Sequence, residues 1–252
     1  MTKEINLKVK TRWFAKGAKD AVKDEDVMIV VDTLRCSSVI TTALESGASA
    51  IYPVASVEEA FRIKRSGQYN RPLLVGEING IMVEGFDAGN SPTELLKLNL
   101  NGRSMVIRTS AGSQILAAIT KLDNNVEAAI GCILNARAVA DWAYNYGSKE
   151  NKDISIICCG YQAKIFTLDD LIGAGAIIRE IPLTVEQEAG ARGACSAFER
   201  AASSLSAALN NSKSGRRLRE IGQVQDIAFC SQFNKYNTVP IFDGGRIRAL
   251  KV

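Results

Sequence analysis

Histidine is absent from all 252 residues, so any acid–base chemistry in this chain falls to Asp, Glu, Lys, Tyr or Cys. Its absence excludes Ser-His-Asp and Cys-His nucleophile systems and HExxH zinc sites. The six cysteines, Cys36, Cys132, Cys158, Cys159, Cys195 and Cys230, contain no C-x-x-C spacing. Without a secretory signal they read as reduced, buried small hydrophobes rather than a disulfide framework. The residues with chemical promise follow short apolar runs: Asp32 and Arg35 after Val27–Val31, Gly76 and Glu77 after 73–75, and Arg108 to Ser113 after 105–107. Gly131 and Asn135 follow 126–130 in the same way, and Gly160 follows Ile154–Cys158. Such a mixture has a chemical sense, because carboxylates bind a hard cation such as Mg2+ while arginine and hydroxyl-rich loops hold phosphate or carboxylate oxygens.

These tails converge only if the runs are neighbouring strands. Behind Val27–Val31, Ser37 opens a helical pattern of Val39, Ile40, Ala43 and Leu44 that Gly47 stops, and a further strand follows near 50–54. The unit repeats. Residues 105–107 lead through a hydroxyl-rich loop to a helix over 114–122, and Ile154–Cys158 leads to a helix opened by Thr167-Leu168-Asp169-Asp170 and ended by Pro182. This alternation predicts an α/β protein, a layered α/β/α arrangement with a largely parallel or mixed sheet built from repeated strand–loop–helix units. Ligands in such folds sit outside the carboxyl ends of the strands. No linker divides the sequence, so 1–252 reads as one unit with a mainly helical segment near 186–222. Within that segment, 189–209 spaces Cys195, Phe198, Ala202, Leu205 and Leu209 as one helix, and 214–222 forms a basic one. Its Arg216, Arg217 and Arg219 read first as a solvated face and second as an anion or subunit contact.

Each candidate also has a plain structural reading. Asp32 could cap a turn, and Ser37 is a helix N-cap before it is a phosphate contact. Ser91 with Glu94 makes a capping box around Pro92, although a helix start is also an anion site. Asp169 and Asp170 lie in a first helical turn, which favours carboxylates by itself. No G-x-x-x-x-G-K-[ST] occurs, Gly173-Ala174-Gly175 lacks a third glycine, and no cysteine is followed by an arginine after five intervening residues, the spacing of the thiolate phosphatase loop. Asp32-Thr33-Leu34 lacks the second Asp of a haloacid-dehalogenase-type phosphatase. A net charge of +4 suits an anionic substrate but is too small and dispersed for nucleic acid. No run approaches the roughly 18 apolar residues of a membrane span, and the first six residues carry no apolar export segment, so a cytoplasmic protein is expected.

Several loops together match a known pattern. Val31-Asp32-Thr33-Leu34-Arg35-Cys36-Ser37-Ser38, Gly76-Glu77 with Gly80, Gly85-Phe86-Asp87-Ala88-Gly89-Asn90-Ser91-Pro92 and Thr109-Ser110-Ala111-Gly112-Ser113 come in the order seen in the 2-phosphosulfolactate phosphatase family. So do Gly131 with Asn135, Thr167-Leu168-Asp169-Asp170 with Ala174-Gly175, and Asp226 with Cys230 and Val239-Pro240. The sequence resembles that family from about residue 27 to 240, most specifically in Gly-Phe-Asp-x-Gly-Asn-Ser-Pro. The resemblance implies an α/β, Mg2+-dependent phosphatase that hydrolyses 2-phospho-3-sulfolactate in coenzyme M biosynthesis. Asp32, Glu77, Asp87 and Asp170 would then supply the carboxylates: Asp32, Glu77 and Asp87 as metal ligands, and Asp32, Arg35, Glu77 and Asp170 as catalytic groups. Ser37, Asn90, Ser91, Arg108, Thr109, Ser110 and Gly112 would contact the small anionic phosphorylated metabolite. The sequence departs from the family pattern at Ile78, Ala111 and Cys36-Ser37-Ser38. The losses at 78 and 111 remove an Arg and an Asn. They leave room for a non-catalytic phosphometabolite-binding protein on the same scaffold, or for an isomerase or lyase of phosphorylated acids. Attack by an aspartate and attack by water both stay open, as does assembly with further copies of the chain.

Overall fold

The five residues of β2 (Val27–Val31) are buried without exception. Their side chains alternate, Val27, Ile29 and Val31 entering one apolar core and Met28 and Val30 the other. A strand covered on both faces is the signature of a parallel sheet between helical layers. The computed structural model describes residues 7–67, 69, 72–122 and 126–250. The amino-terminal six, from which the lack of an export segment was read, lie outside them.

Chain order runs β1 (Lys8–Trp13), α1 (Phe14–Lys23), β2, α2 (Cys36–Glu45), β3 (Ala50–Pro53), α3 (Val57–Ser66), β4 (Leu73–Ile78), β5 (Ile81–Met82), α4 (Pro92–Leu95), β6 (Ser104–Arg108), α5 (Gly112–Leu122), β7 (Ala128–Gly131). It continues through α6 (Ala136–Glu150), β8 (Ile154–Cys158), α7 (Leu168–Glu180), β9 (Glu186–Gln187), α8 (Ala189–Ala201), α9 (Leu205–Asn210), α10 (Lys213–Glu220), α11 (Val224–Cys230), β10 (Pro240–Phe242) and β11 (Ile247–Ala249). Among the described residues the strands form one 11-stranded sheet in the order β5-β4-β6-β3-β11-β10-β7-β2-β8-β1-β9. Two parallel blocks, β4-β6-β3 and β7-β2-β8-β1-β9, are joined by the antiparallel hairpin of β10 and β11. The expected α/β architecture with a mixed, largely parallel sheet is what the chain forms. The hairpin that fuses its two blocks was not foreseen.

Helices α6, α7 and α8 cover one face and α1, α2 and α5 the other. Contact between α7 and α8 is close enough that a Cβ on Gly175 would stand 2.0 Å from the carbonyl oxygen of Ala194. This close approach, and no dinucleotide, accounts for Gly175, while Gly173 makes room for Thr33, whose Oγ1 a Cβ there would meet at 2.0 Å. Three expectations shift. The predicted helix over 189–209 is interrupted by a 3-10 turn at Ala202–Ser204. The strand expected at 126–130 forms at Ala128–Gly131. Helix α2 starts at Cys36 without a side-chain cap, so Ser37 is not its N-cap. Ser91 does cap α4, accepting from the Glu94 amide at 3.2 Å with Pro92 at the first position. All six cysteines are unpaired and all but Cys195 are buried. Among the described residues no helix is long and apolar enough to cross a membrane.

Candidate active site

Asp32 leaves the carboxyl end of β2 and lies between two helix starts. Its Oδ1 accepts from the Cys36 amide at 3.2 Å, the first residue of α2, and its Oδ2 from the Gly112 amide at 2.8 Å, the first residue of α5. Both helix dipoles therefore favour a negative charge here. A Cβ on Gly112 would come within 2.7 Å of Cys36 Sγ and 3.0 Å of Asp32 Oδ2, so only glycine lets the second helix approach. Burial nevertheless outweighs the amides. Asp32 is pushed up to about 7, with the Asp169 and Glu77 charges adding to the burial and the two amide bonds opposing it.

Two other carboxylates link loops in the same way. Asp170, in the first turn of α7, accepts from the Thr33 amide at 2.8 Å and the Gly160 amide at 2.6 Å, joining the tails of β2 and β8. Glu77, on β4, accepts from the Ser110 amide at 2.6 Å, the Gly80 amide at 2.6 Å and the Ser110 hydroxyl at 3.1 Å. Asp169 stands next to Asp170 and is 1% exposed, yet its Oδ1 has no partner. Burial raises it to about 6 against hydrogen bonds from Ser214 and Ser212 that lower it. Asp170 is raised well above the carboxylate range by burial first, then by the Asp169 and Asp32 charges.

These groups line one cavity at the carboxyl ends of the parallel strands. Of the residues expected to act, Asp32, Arg35, Glu77, Asn90, Ser110 and Asp170 reach its wall. Others serve behind it. The Ser37 hydroxyl is occupied by the Asp32 amide at 2.9 Å and the Val30 carbonyl at 3.4 Å, so it is a bracket for the β2 tail rather than a substrate contact. Thr109 is closed on Ser113, its amide donating to the Ser113 hydroxyl at 2.8 Å. Gly112 offers its amide to Asp32. Arg108 donates to the Glu77 carbonyl at 2.7 Å. Ser91 donates to Asp226 at 2.8 Å. Asp87 differs most from its expected metal-binding place. It accepts from the Leu74 amide at 2.8 Å and pairs with Lys64 at 2.9 Å, with a side chain 35% exposed, away from the cavity wall.

Arg35 is placed by a buried ion pair. Its Nη1 meets Asp226 Oδ2 at 2.7 Å, with both side chains sealed, and also donates to Gln223. Asp226 in turn accepts from the Ser91 hydroxyl and, at 2.6 Å, from the Thr93 hydroxyl. Residues 213–230 thus close the cavity as a lid of helices. Besides Asp169, this lid and the loop after β8 bring Ser214, Arg217, Tyr161 and Gln162 to the wall. Arg217 belongs to the helix read as solvated. Leu218, 4% exposed beside it, is the signal that this helix packs and that its charges face something.

The donor set can be tested against a hard cation. Every carboxylate at the wall offers oxygen, Asp169 Oδ1 and Asn90 Oδ1 are buried without partners, and among the described residues no lysine or arginine forms an ion pair with Asp32, Asp169 or Asp170. Among those residues no three acidic or cysteine side chains make a ready cage either. That pattern fits Mg2+, which keeps several waters and binds through one or two carboxylates plus phosphate oxygens. It does not fit a closed zinc site.

Fold and site together define an α/β protein whose parallel-strand tails converge on one acidic cavity bordered by arginine. A sequence-family model described as 2-phosphosulpholactate phosphatase matches residues 15–245. The chain is 35% identical over 235 residues to a probable 2-phosphosulfolactate phosphatase of Caldanaerobacter subterraneus subsp. tengcongensis, covering 91% of this chain and 94% of the relative. It is 34% identical to one of Carboxydothermus hydrogenoformans, covering 93% and 92%, and 33% identical to one of Thermotoga maritima, covering 86% and 89%. The chain belongs to the 2-phosphosulfolactate phosphatase family, a family of phosphoric monoester hydrolases.

Proposed function

We propose that this protein is a Mg2+-dependent phosphatase working as one α/β unit in the cytoplasm, hydrolysing 2-phospho-3-sulfolactate to 3-sulfolactate and phosphate. The observation that carries the reading is the set of three buried aspartates, Asp32, Asp169 and Asp170, that share the cavity without a cationic partner among the described residues. Such a site is electrostatically incomplete, and a divalent cation with a phosphate ester completes it. When bound, Mg2+ would neutralise phosphate charge and polarise the ester, worth several kcal/mol in the transition state.

Asp32 and Glu77 would hold the cation, two carboxylates being what Mg2+ takes, and Asp169 would meet its water shell through its free oxygen. Asp87, on Lys64, drops out of the ligand set. The remaining residues position and exchange protons. Asn90 and Ser110 offer neutral polar groups at the wall. Asp170 fixes the β2 and β8 tails relative to each other through its two amide bonds. Burial raises Asp170 well above the carboxylate range, so this carboxyl, which is not a ligand of the cation, keeps a proton near neutral pH and can give it to the departing alkoxide oxygen. Of the two departures that remove an Arg and an Asn, Ile78 is 45% exposed and stands off the cavity wall, while Ala111 lies on it.

The test is phosphate release from a panel of phosphate monoesters with and without Mg2+. Release from the 2-hydroxy acid esters, abolished by EDTA and restored by Mg2+, is expected. Full activity after exhaustive chelation removes the metal, and binding without release turns the protein into a carrier of the same ligand.

A further inference from the structure

Among the described residues two arginines are the cationic residues at the cavity wall, Arg35 and Arg217, and they differ in how much charge they can offer. Arg35 is spent. Its guanidinium is sealed against Asp226, both side chains being 2% exposed or less, and its other contacts are Gln223 and the Gly80 carbonyl. Arg217 keeps most of its charge for a ligand. Its Nε donates to a neutral acceptor, the Asn79 carbonyl, at 3.0 Å. Among the described residues its single acidic partner is Glu220 at 3.2 Å, whose side chain is 64% exposed and therefore screened by water.

The position of Arg217 is built in. The turn at Asn79 and Gly80 has positive φ at both residues, 53° and 86°, and packs under α10. A Cβ on Gly80 would lie 3.0 Å from Ile221 Cδ1 and 3.7 Å from Arg217 Cγ, so this turn braces the stem of the side chain. Arg217 thereby enters the cavity from the helical lid, while Asp32 enters from the tail of β2 and Asp170 from the first turn of α7.

We infer that Arg217 is a specificity-determining residue, which recognises the second acidic group of the substrate, a carboxylate or sulfonate, while the strand-tail end of the cavity takes the phosphate. The inference rests on the phosphatase reading and adds to it the residue that separates an acid ester from a simple one. A planar guanidinium is suited to this task because it presents parallel N–H donors to an oxyanion.

The experiment compares kcat/KM of wild type, Arg217→Met and Arg217→Lys on three esters: ethyl phosphate, 2-phospholactate and the phosphate ester of 2-hydroxyethanesulfonate. Arg217→Met should lose at least about tenfold more on the acid esters than on ethyl phosphate, mainly through KM, and Arg217→Lys should recover part of it. Whichever acid ester suffers more identifies the group recognised. The same factor on all three, or no loss, overturns the assignment. Circular dichroism establishes that the variants fold. Calorimetric binding of 3-sulfolactate, which needs no turnover, should weaken about tenfold in Arg217→Met. If wild type cleaves no ester, the phosphatase reading fails while this binding arm still decides the role of Arg217.

Discussion

Strand β2 has an aspartate beyond each of its ends, and the two are solved in opposite ways. Asp26, before Val27, is met by Lys10 at 3.1 Å, Arg12 at 3.2 Å and the Ser155 hydroxyl at 2.6 Å. Lys10 also pairs with Asp153 and Arg12 with Asp24, so the charges close on one another. Burial pulls Lys10 down, but its bonds to Asp153 and Asp26 leave it raised overall. Asp32, after Val31, is buried and receives two backbone amides, a thiol neighbour and further carboxylates instead. The amino end of the sheet is a finished ion network, and the carboxyl end is left with charge to be matched from outside. The difference marks the end where ligand chemistry belongs more sharply than cavity shape does.

The contrast can be broken by substituting asparagine at both ends. Asp26→Asn should cost stability, about 3 kcal/mol, the low end for a broken buried pair because Lys10 keeps Asp153 and Arg12 keeps Asp24. Its kcat should stay close to wild type. Asp32→Asn should lower kcat by at least ~10²-fold, the scale of a lost acid–base or metal contribution. An amide can accept from only one of the two helix starts, so some stability also goes, ~1–3 kcal/mol. Denaturant melts and steady-state kinetics on both variants decide the matter. A dead but stable Asp26→Asn, or an active Asp32→Asn, would reverse the assignment of the two ends.

Legibility in the sequence followed the same division. The parallel units around β2, β6 and β8 were readable because their short apolar runs and helical patterns are local. Asp32 and Glu77 followed from sitting at the tails of those runs, whereas Asp170, by itself a first-turn carboxylate, entered the set through the family resemblance. What escaped depends on long-range packing. The hairpin of β10 and β11 bridges the two parallel blocks through strands of three residues each, too short to show alternation. Arg217 looked like a solvated charge because nothing near it in sequence reveals the turn at Asn79 and Gly80, 138 residues away, that holds it. Asp87 carries a site-like motif but pairs with Lys64, 23 residues earlier, a contact no local pattern announces. Asp169 was weighed as a first-turn carboxylate and no more. Its orphaned oxygen is visible only once the lid is in place.

The pH dependence of stability sharpens the comparison at smaller amplitude. Burial raises Asp32 to about 7, Asp169 to about 6, and Asp170 above its ordinary value. Between the unfolded carboxyl pKa near 4 and these folded values the native state holds more protons than the unfolded one, so stability falls as pH rises through this window. The raised Lys10 and Arg12 stay charged throughout it and contribute the same at pH 5 and pH 8. Metal-free protein should therefore melt at least about 3 °C higher at pH 5 than at pH 8, a difference of roughly 1 kcal/mol. Mg2+ at pH 8 should recover part of that loss by binding the native state alone. The gap should shrink in Asp32→Asn and persist in Asp26→Asn. A gap that shrinks equally in both would place the titrating groups elsewhere.

The smallest expected effect concerns the thiol beside Asp32. Cys36 begins α2 and neighbours Arg35, a setting that could lower a thiol pKa and make a nucleophile. The structure argues the other way. Cys36 is 1% exposed, and burial first, then the Asp32 charge, push its thiol well above the usual range, while Arg35 spends its charge on Asp226. A thiol in that state is neutral packing between two helix starts, its sulfur filling space against Gly112. Cys36→Ala should therefore keep kcat within roughly threefold of wild type, well under the 1.36 kcal/mol of a tenfold change. The lost sulfur should cost stability on the order of 1 kcal/mol, because the glycine contact cannot fully collapse into the gap. Complete loss of phosphate release with intact circular dichroism would make the enzyme thiol-dependent. It would also mean that the acidic end of β2 exists to hold a cysteine rather than to hold a cation.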